Sequence, residues 1–180
     1  ASRHTLSAEY RFLDADNPDG EFQVIQSRER DHEYSVDHFQ DKFYIHTNLD
    51  AKNFRLMETP VEKPTKENWK EVIPHRDDVL LQGFEIFKNY LVLSERINGL
   101  TQLRIIKWTD RSEHYLDFGE EAYLAYISTN PDFDTDLLRY GYTSLTTPNF
   151  TYDFLLLEES LFPCVHIIII GGVGSCERGI

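Results

Sequence analysis

The stretch DHEYSVDHF, residues 31–39, sets two histidines and a glutamate within nine positions. Imidazole nitrogen and carboxylate oxygen are the ligands that transition metals take. On an extended strand His32 and His38 share a face, with Glu33 beside the first. Six residues of strand would hold the two imidazoles about 20 Å apart, too far to share one ion. They are expected to be ordinary surface or turn histidines. A second set, Asp117, Glu120, Glu121, Asp132, Asp134 and Asp136, offers the paired carboxylates that glycoside hydrolysis needs. With 31 acidic residues among 180, such clusters also arise by chance. The run NPDFDTD, residues 130–136, reads as an exposed turn between strands, and it lacks the Gly and closing Glu of a calcium loop.

A serine nucleophile in an α/β-hydrolase needs the Gly-x-Ser-x-Gly elbow, whose glycines allow a tight strand-to-helix turn. That pattern does not occur. Around Ser175 the sequence is GGVGSCERG, with Val173 and Glu177 where the glycines belong. The same stretch fails as a dinucleotide loop, because Gly172 and Gly174 are followed by Glu177 and three residues remain for a helix. Asn149-Phe150-Thr151 has the form of a glycosylation acceptor, placed in a strand turn and without a secretory signal to make it relevant. No residue is therefore assigned a catalytic, cofactor-binding or metal-binding role, and no cofactor is expected.

Any such residues must be carried by strands. The chain has 10 Tyr and 12 Phe and 41% apolar residues, and segments with helical character are few and short. This is the composition of one mostly-β globular domain. The net charge of −13 argues against nucleic acid, for which no basic face is visible, and fits either simple solubility or a field that attracts cationic ligands such as basic peptides. Cys164 and Cys176 both fall near the end, so no disulfide framework organises the rest and a reducing, cytoplasmic location is expected. Ala1 opens the sequence with no charged-then-apolar leader after it. The longest apolar run, Val165–Ile170, is far short of the ~20 residues a membrane helix needs.

The strand pattern repeats. FQDKFYIHTNLDAKNFRLME from Phe39 aligns with FKNYLVLSERINGLTQLRIIK from Phe87, matching Phe43 to Leu91 and Ile45 to Leu93 at an offset of 48. One insertion then sets Leu56 on Ile105 and Met57 on Ile106, an offset of 49. A third copy starts at Phe133. Upstream, residues 10–25 supply two strands around the turn Asn17-Pro18-Asp19-Gly20. Each unit is expected to have four strands, as near Glu33–His38, Lys42–Thr47, Phe54–Glu58 and Trp69–Ile73, with inner strands at Lys42–Thr47, Tyr90–Glu95 and Leu137–Thr143. Four-stranded antiparallel units recurring every 40–50 residues are the mark of β-propeller blades. The chain would hold half of one blade, two whole blades and most of another.

These stretches resemble the prolyl oligopeptidase family of serine peptidases, most closely the oligopeptidase B branch. The resemblance rests on DHEYSVDHFQDKFYIHTNLDAKNFRLM from Asp31, ENWKEVIPHRDDVLLQGFEIFKNYLVLSERINGLTQLRI from Glu67, and LRYGYTSLTTPNFTYDF from Leu138. It covers about residues 8–154. It implies an all-β fold, a partial β-propeller of about three to three and a half blades out of seven. It also implies an α/β-hydrolase domain that follows the propeller and carries the nucleophile, acid and histidine. That domain is expected to be absent here, so no catalytic role transfers to any residue of this sequence. The implied partners are short basic peptides and the hydrolase domain, with no nucleic acid and no membrane.

From about Leu155 the sequence departs from the family pattern: LLLEESLFPCVHIIIIGGVGSCERGI carries a Pro163 break, four consecutive isoleucines and both cysteines. An alternative exon, a retained intron or a shifted frame would produce this. Residues 1–154 are expected to form the partial propeller, and 155–180 a tail outside the family fold, poorly packed after Leu157. Two other functions fit the pattern less well: a non-enzymatic propeller that binds proteins, and a propeller glycosidase using Asp132–Asp136.

Overall fold

The computed structural model describes residues 2–4, 7–157 and 166–167. It is all-β apart from one 3-10 turn at Lys66–Asn68, and contains antiparallel sheets that match the expected partial propeller. Residues cluster into two compact units, 1–80 and 81–180. The reason is repetition, since each blade packs on its neighbours alone and contacts divide readily between blades.

In the first unit, β1 (Ser2–His4), β2 (Ser7–Phe12) and β3 (Gln23–Gln26) form a three-stranded sheet, one strand more than the expected half blade. The turn expected at Asn17–Gly20 is present: the Gly20 N–H donates to the Asn17 carbonyl at 3.0 Å. A side chain at Gly20 would collide with the Asn17 amide, 2.8 Å from where its Cβ would lie. The second sheet runs β4 (Tyr34–Phe39), β5 (Lys42–Thr47), β6 (Arg55–Pro60) and β7 (Lys70–Ile73). Ala8 and Ile25 of the first sheet pack with Tyr34, Phe43, Ile45 and Met57 of the second, and with Trp69 just before β7, in one core. Phe12 meets Phe43 at 4.9 Å between ring centres, edge to face, the geometry that aromatic quadrupoles favour.

The second unit's first sheet has β8 (Val79–Ile86), β9 (Tyr90–Ile97), β10 (Leu100–Lys107) and β11 (Glu113–Tyr115). Its other sheet has β12 (Tyr123–Ile127), β13 (Leu137–Ser144), β14 (Phe150–Leu155) and the backbone of β15 (His166–Ile167). Their shared core holds Phe87, Val92, Leu103, Ile105, Ala125, Leu138, Tyr140 and Phe154. The three expected inner strands are β5, β9 and β13, each flanked on both sides. The remaining residues from 158 onward, where the poorly packed tail is expected, lie outside the described residues.

The repeat needs one correction. In the second sheet Phe43 pairs with Thr59 and Ile45 with Met57; in the third, Leu91 pairs with Ile106 and Leu93 with Arg104. Thr59 therefore corresponds to Ile106 and Met57 to Arg104, an offset of 47 and not 49. The Val61 N–H bonds the Asp41 carbonyl as the Trp108 N–H bonds that of Asn89, which gives the same answer. A two-residue slip keeps every side chain on its original face, so residue type alone cannot detect it. The lengths differ at the hairpin tips. β9 and β10 are joined by Asn98-Gly99, both at positive φ, a two-residue loop whose twist suits paired strands. β5 and β6 are joined by the longer 48–54 segment.

Candidate functional site

His32 is not a surface histidine. It precedes β4 in a loop that turns at Asp31, whose φ is 63°, and only 4% of it is exposed. Its Nε2 lies 2.9 Å from Thr47 Oγ1 on β5, and its ring stacks on Tyr34 at 5.2 Å with Trp69 at 5.8 Å. Burial pushes its pKa below the ordinary histidine value; the Glu29 carboxylate pulls it up and the Lys66 ammonium pushes it down. His38 sits exposed on β4 beside Phe43, and the Glu33 N–H is taken by Asn48 Oδ1 at 2.8 Å. The assumption of one continuous strand through both histidines thus fails, because β4 begins at Tyr34, after His32 and Glu33. Among the described residues no group of three or more His, Cys, Asp or Glu could hold a metal ion.

The six acidic candidates do not converge. Asp117 Oδ1 accepts the Gly119 N–H at 2.8 Å, and Glu120 Oε1 accepts the Tyr142 hydroxyl at 3.0 Å. Asp132 Oδ1 accepts the Asp134 N–H at 3.1 Å, a turn of the kind expected for NPDFDTD. Asp134 pairs with Lys88 at 2.8 Å, and Glu121 is exposed. The Asp136 carbonyl accepts the Leu156 N–H at 2.7 Å while its Oδ1 is buried with no hydrogen-bond partner. Of the six, Asp132 alone lines the cavity of about 150 Å³ at this sheet, together with Asn130, Leu137, Arg139 and Asp153.

That cavity is organised by an ion pair which residue types alone do not reveal. Arg139 on β13 stands opposite Asp153 on β14, and its Nε and Nη2 donate to the two carboxylate oxygens at 2.8 and 2.9 Å. This fork fixes both groups. The Asp153 carboxylate raises the Arg139 pKa, chiefly through the hydrogen bond. Asn130 completes the wall: its Oδ1 accepts the Arg139 N–H at 2.7 Å, and its Nδ2 donates to the Ser128 and Arg139 carbonyls. Pairing leaves Arg139 and Asp153 jointly neutral, suited to holding shape and unsuited to proton transfer. A usable signal was the antiparallel register of two expected strands.

A second buried network lies on the third sheet. Glu95, 1% exposed, accepts from Arg104 at 3.2 Å and from the Tyr115 hydroxyl at 2.7 Å. Arg104 also donates to Glu113 at 2.6 Å. Burial by itself disfavours the Arg104 charge, but the Glu113 hydrogen bond and the Glu95 charge outweigh it and raise its pKa. Each carboxylate here is engaged by a donor. Neither network presents an activated nucleophile beside a base.

The blades therefore organise shape and charge. The model of the prolyl oligopeptidase N-terminal beta-propeller domain matches residues 1–165. The chain belongs to the prolyl oligopeptidase family. Within that family, dipeptidyl aminopeptidase BI of Pseudoxanthomonas mexicana is 45% identical over 150 residues, covering 83% of this chain and 20% of that enzyme. Protease 2 of Moraxella lacunata is 28% identical over 172 residues, covering 95% of this chain and 24% of that one. Among solved structures, oligopeptidase B from Trypanosoma brucei matches with a TM-score of 0.75 at 28% identity, over 88% of this chain and 24% of its own. The chain thus spans about a fifth to a quarter of the length of these family members. Its antiparallel sheets are blades of the family's propeller.

Proposed function

We propose that these residues are the propeller portion of a serine oligopeptidase that cleaves short peptides after Arg or Lys, and that they carry no catalytic group themselves. The observation that carries this reading is the family match across residues 1–165. The blades would restrict which peptides reach a catalytic centre on an α/β-hydrolase domain, excluding water and folded substrates from it. A charge of −13 suits cationic peptides by long-range attraction. Acyl transfer needs a nucleophile, an oriented base and an oxyanion hole held together. The hydroxyl beside His32 is that of buried Thr47, in the core. The proposal includes a cytoplasmic location. The backbone of His166–Ile167 pairs with β14, so the last sheet continues past residue 154.

A second reading concerns where the cut falls. The 45% identity to an enzyme called dipeptidyl aminopeptidase BI favours release of dipeptides from free amino termini. The purified chain and the full coding product should be compared on an amino-blocked, Arg-ended fluorogenic peptide, an unblocked dipeptide substrate, and a serine-directed fluorophosphonate. The expected result is inactivity and no label for the 180 residues, with cleavage of the blocked substrate by the full product. Cleavage of the unblocked substrate alone would select the second reading. Activity with neither, and no label, would leave a propeller that binds proteins. Stoichiometric labelling of the short chain, abolished by changing one serine, would overturn the non-catalytic assignment. Fractionation of cells locates the full product.

A further inference from the structure

The joint between the first two sheets contains a buried titratable group that the proposed peptidase reading does not use. His32 carries its ring into the core between Tyr34 and Trp69, while its carbonyl accepts the Ala8 N–H of β2 at 3.3 Å. The same residue thus touches the second sheet through its ring and the first through its backbone. Its Nδ1 is buried with no hydrogen-bond partner. Thr47 Oγ1, which faces Nε2, also accepts the Leu49 N–H at 3.1 Å.

We propose that His32 is an acid-sensitive latch holding the three-stranded sheet onto its neighbour, closed when the imidazole is neutral and loosened when it gains a proton. In either neutral tautomer one ring nitrogen meets Thr47 and the other meets no partner. The protonated ring has two N–H donors, and the one on Nδ1 finds no acceptor, so charge and an unpaired donor are buried together. The charged groups facing it do not rescue this. Glu29 is already bound by Lys66 Nζ at 2.5 Å and Gln26 Nε2 at 2.9 Å, and Lys66 repels a second cation. Tyr34, the other titratable neighbour, has its hydroxyl committed to the Gln26 carbonyl at 2.6 Å.

The sign follows from linkage. The folded state disfavours the proton that the unfolded state accepts near pH 6.5, so the latch contributes fully above that value and is lost as pH falls below it. Between pH 7.5 and 5.5 the unfolding equilibrium constant of the wild-type chain should rise by up to about tenfold more than that of His32→Gln, in urea titrations. In the wild type, NMR of the imidazole should show His32 titrating below 6.5. The Ala8 amide should lose protection from exchange over the same range. A His32 midpoint at or above 6.5, an Ala8 amide indifferent to its titration, or an equal pH response in a folded His32→Gln chain would overturn the proposal. Should that variant not fold, the imidazole titration and Ala8 protection decide it alone.

Discussion

The two units hold their pairs of sheets together by different means. In the first, polar ties accompany the apolar core. The Tyr34 hydroxyl donates to the Gln26 carbonyl and accepts the Tyr10 N–H at 3.0 Å, so one side chain bonds the backbone of two strands in the adjoining sheet. Gln26, Glu29 and Lys66 extend that seam. In the second unit the polar ties between sheets lie at the surface, where the Lys88 N–H donates to the Phe133 carbonyl at 3.1 Å and its exposed ammonium pairs with Asp134 at 2.8 Å, while the shared core is aliphatic and aromatic. Burial is non-directional and tolerates sliding, whereas hydrogen bonds fix position and must be satisfied. Equivalent blades of one repeat can therefore respond to opposite chemical stresses.

The largest expected effect is on the apolar joint. Leu138 is fully buried among Phe87, Leu103, Ala125 and Phe154, so Leu138→Ala should cost about 2–5 kcal/mol through lost burial and an incompletely closed cavity. A urea midpoint unchanged by that substitution would mean the core is not packed as described. Next comes alkali. Burial, then the nearby Tyr152 and Tyr142, push the Tyr140 hydroxyl up to about 12. An unfolded tyrosine ionises near 10. A raised pKa contributes stability that is complete below pH 10 and lost as pH rises from 10 towards 12. Tyr140's share of that loss reaches about 2–3 kcal/mol and should be removed in Tyr140→Phe, while the other tyrosines raised by burial, Tyr34, Tyr123, Tyr142 and Tyr152, keep theirs; tyrosinate absorbance and unfolding followed together test it.

For the polar joint, Tyr34→Phe keeps the ring and removes the hydroxyl. It leaves the Gln26 carbonyl and Tyr10 N–H unmatched, at about 1–3 kcal/mol. Faster exchange of the Tyr10 amide should accompany the loss, and its absence would show the seam to be ornamental. The smallest effect is expected at the Arg55–Glu71 pair, 3.4 Å apart with the Glu71 side chain 44% exposed. Glu71→Ala should change stability by less than about 1 kcal/mol. A larger loss would indicate that side-chain charge, and not the seam, holds the first unit.

Much of the architecture was readable in the residues because strand alternation and turn chemistry are local. β5 has the bounds Lys42–Thr47 that its pattern suggests, and β9 begins at Tyr90 as expected. β12 was hidden: its five residues Tyr123–Ile127 follow the acidic run that drew attention to carboxylates, and they take strand form by pairing with β13. The two-residue slip in the repeat was invisible for the reason that period-two patterns do not record register. His32 required a backbone turn at Asp31 that no spacing rule predicts, since the left-handed conformation there is a tertiary outcome. Arg139 and Asp153 lie far apart in sequence, and only the β13–β14 register makes them partners.

On the last blade, Tyr126 of β12 lies across Gly141 of β13, its directly opposed partner. A Cβ at Gly141 would sit 2.1 Å from the tyrosine ring, and the ring's hydroxyl reaches Asn149 Oδ1 at 3.2 Å. The tyrosine thus occupies space that a side chain at 141 would claim. Only the far end of an exposed ring stands in the way, so a residue introduced at 141 would turn that ring out towards solvent and exchange its Asn149 contact for new packing on the strand.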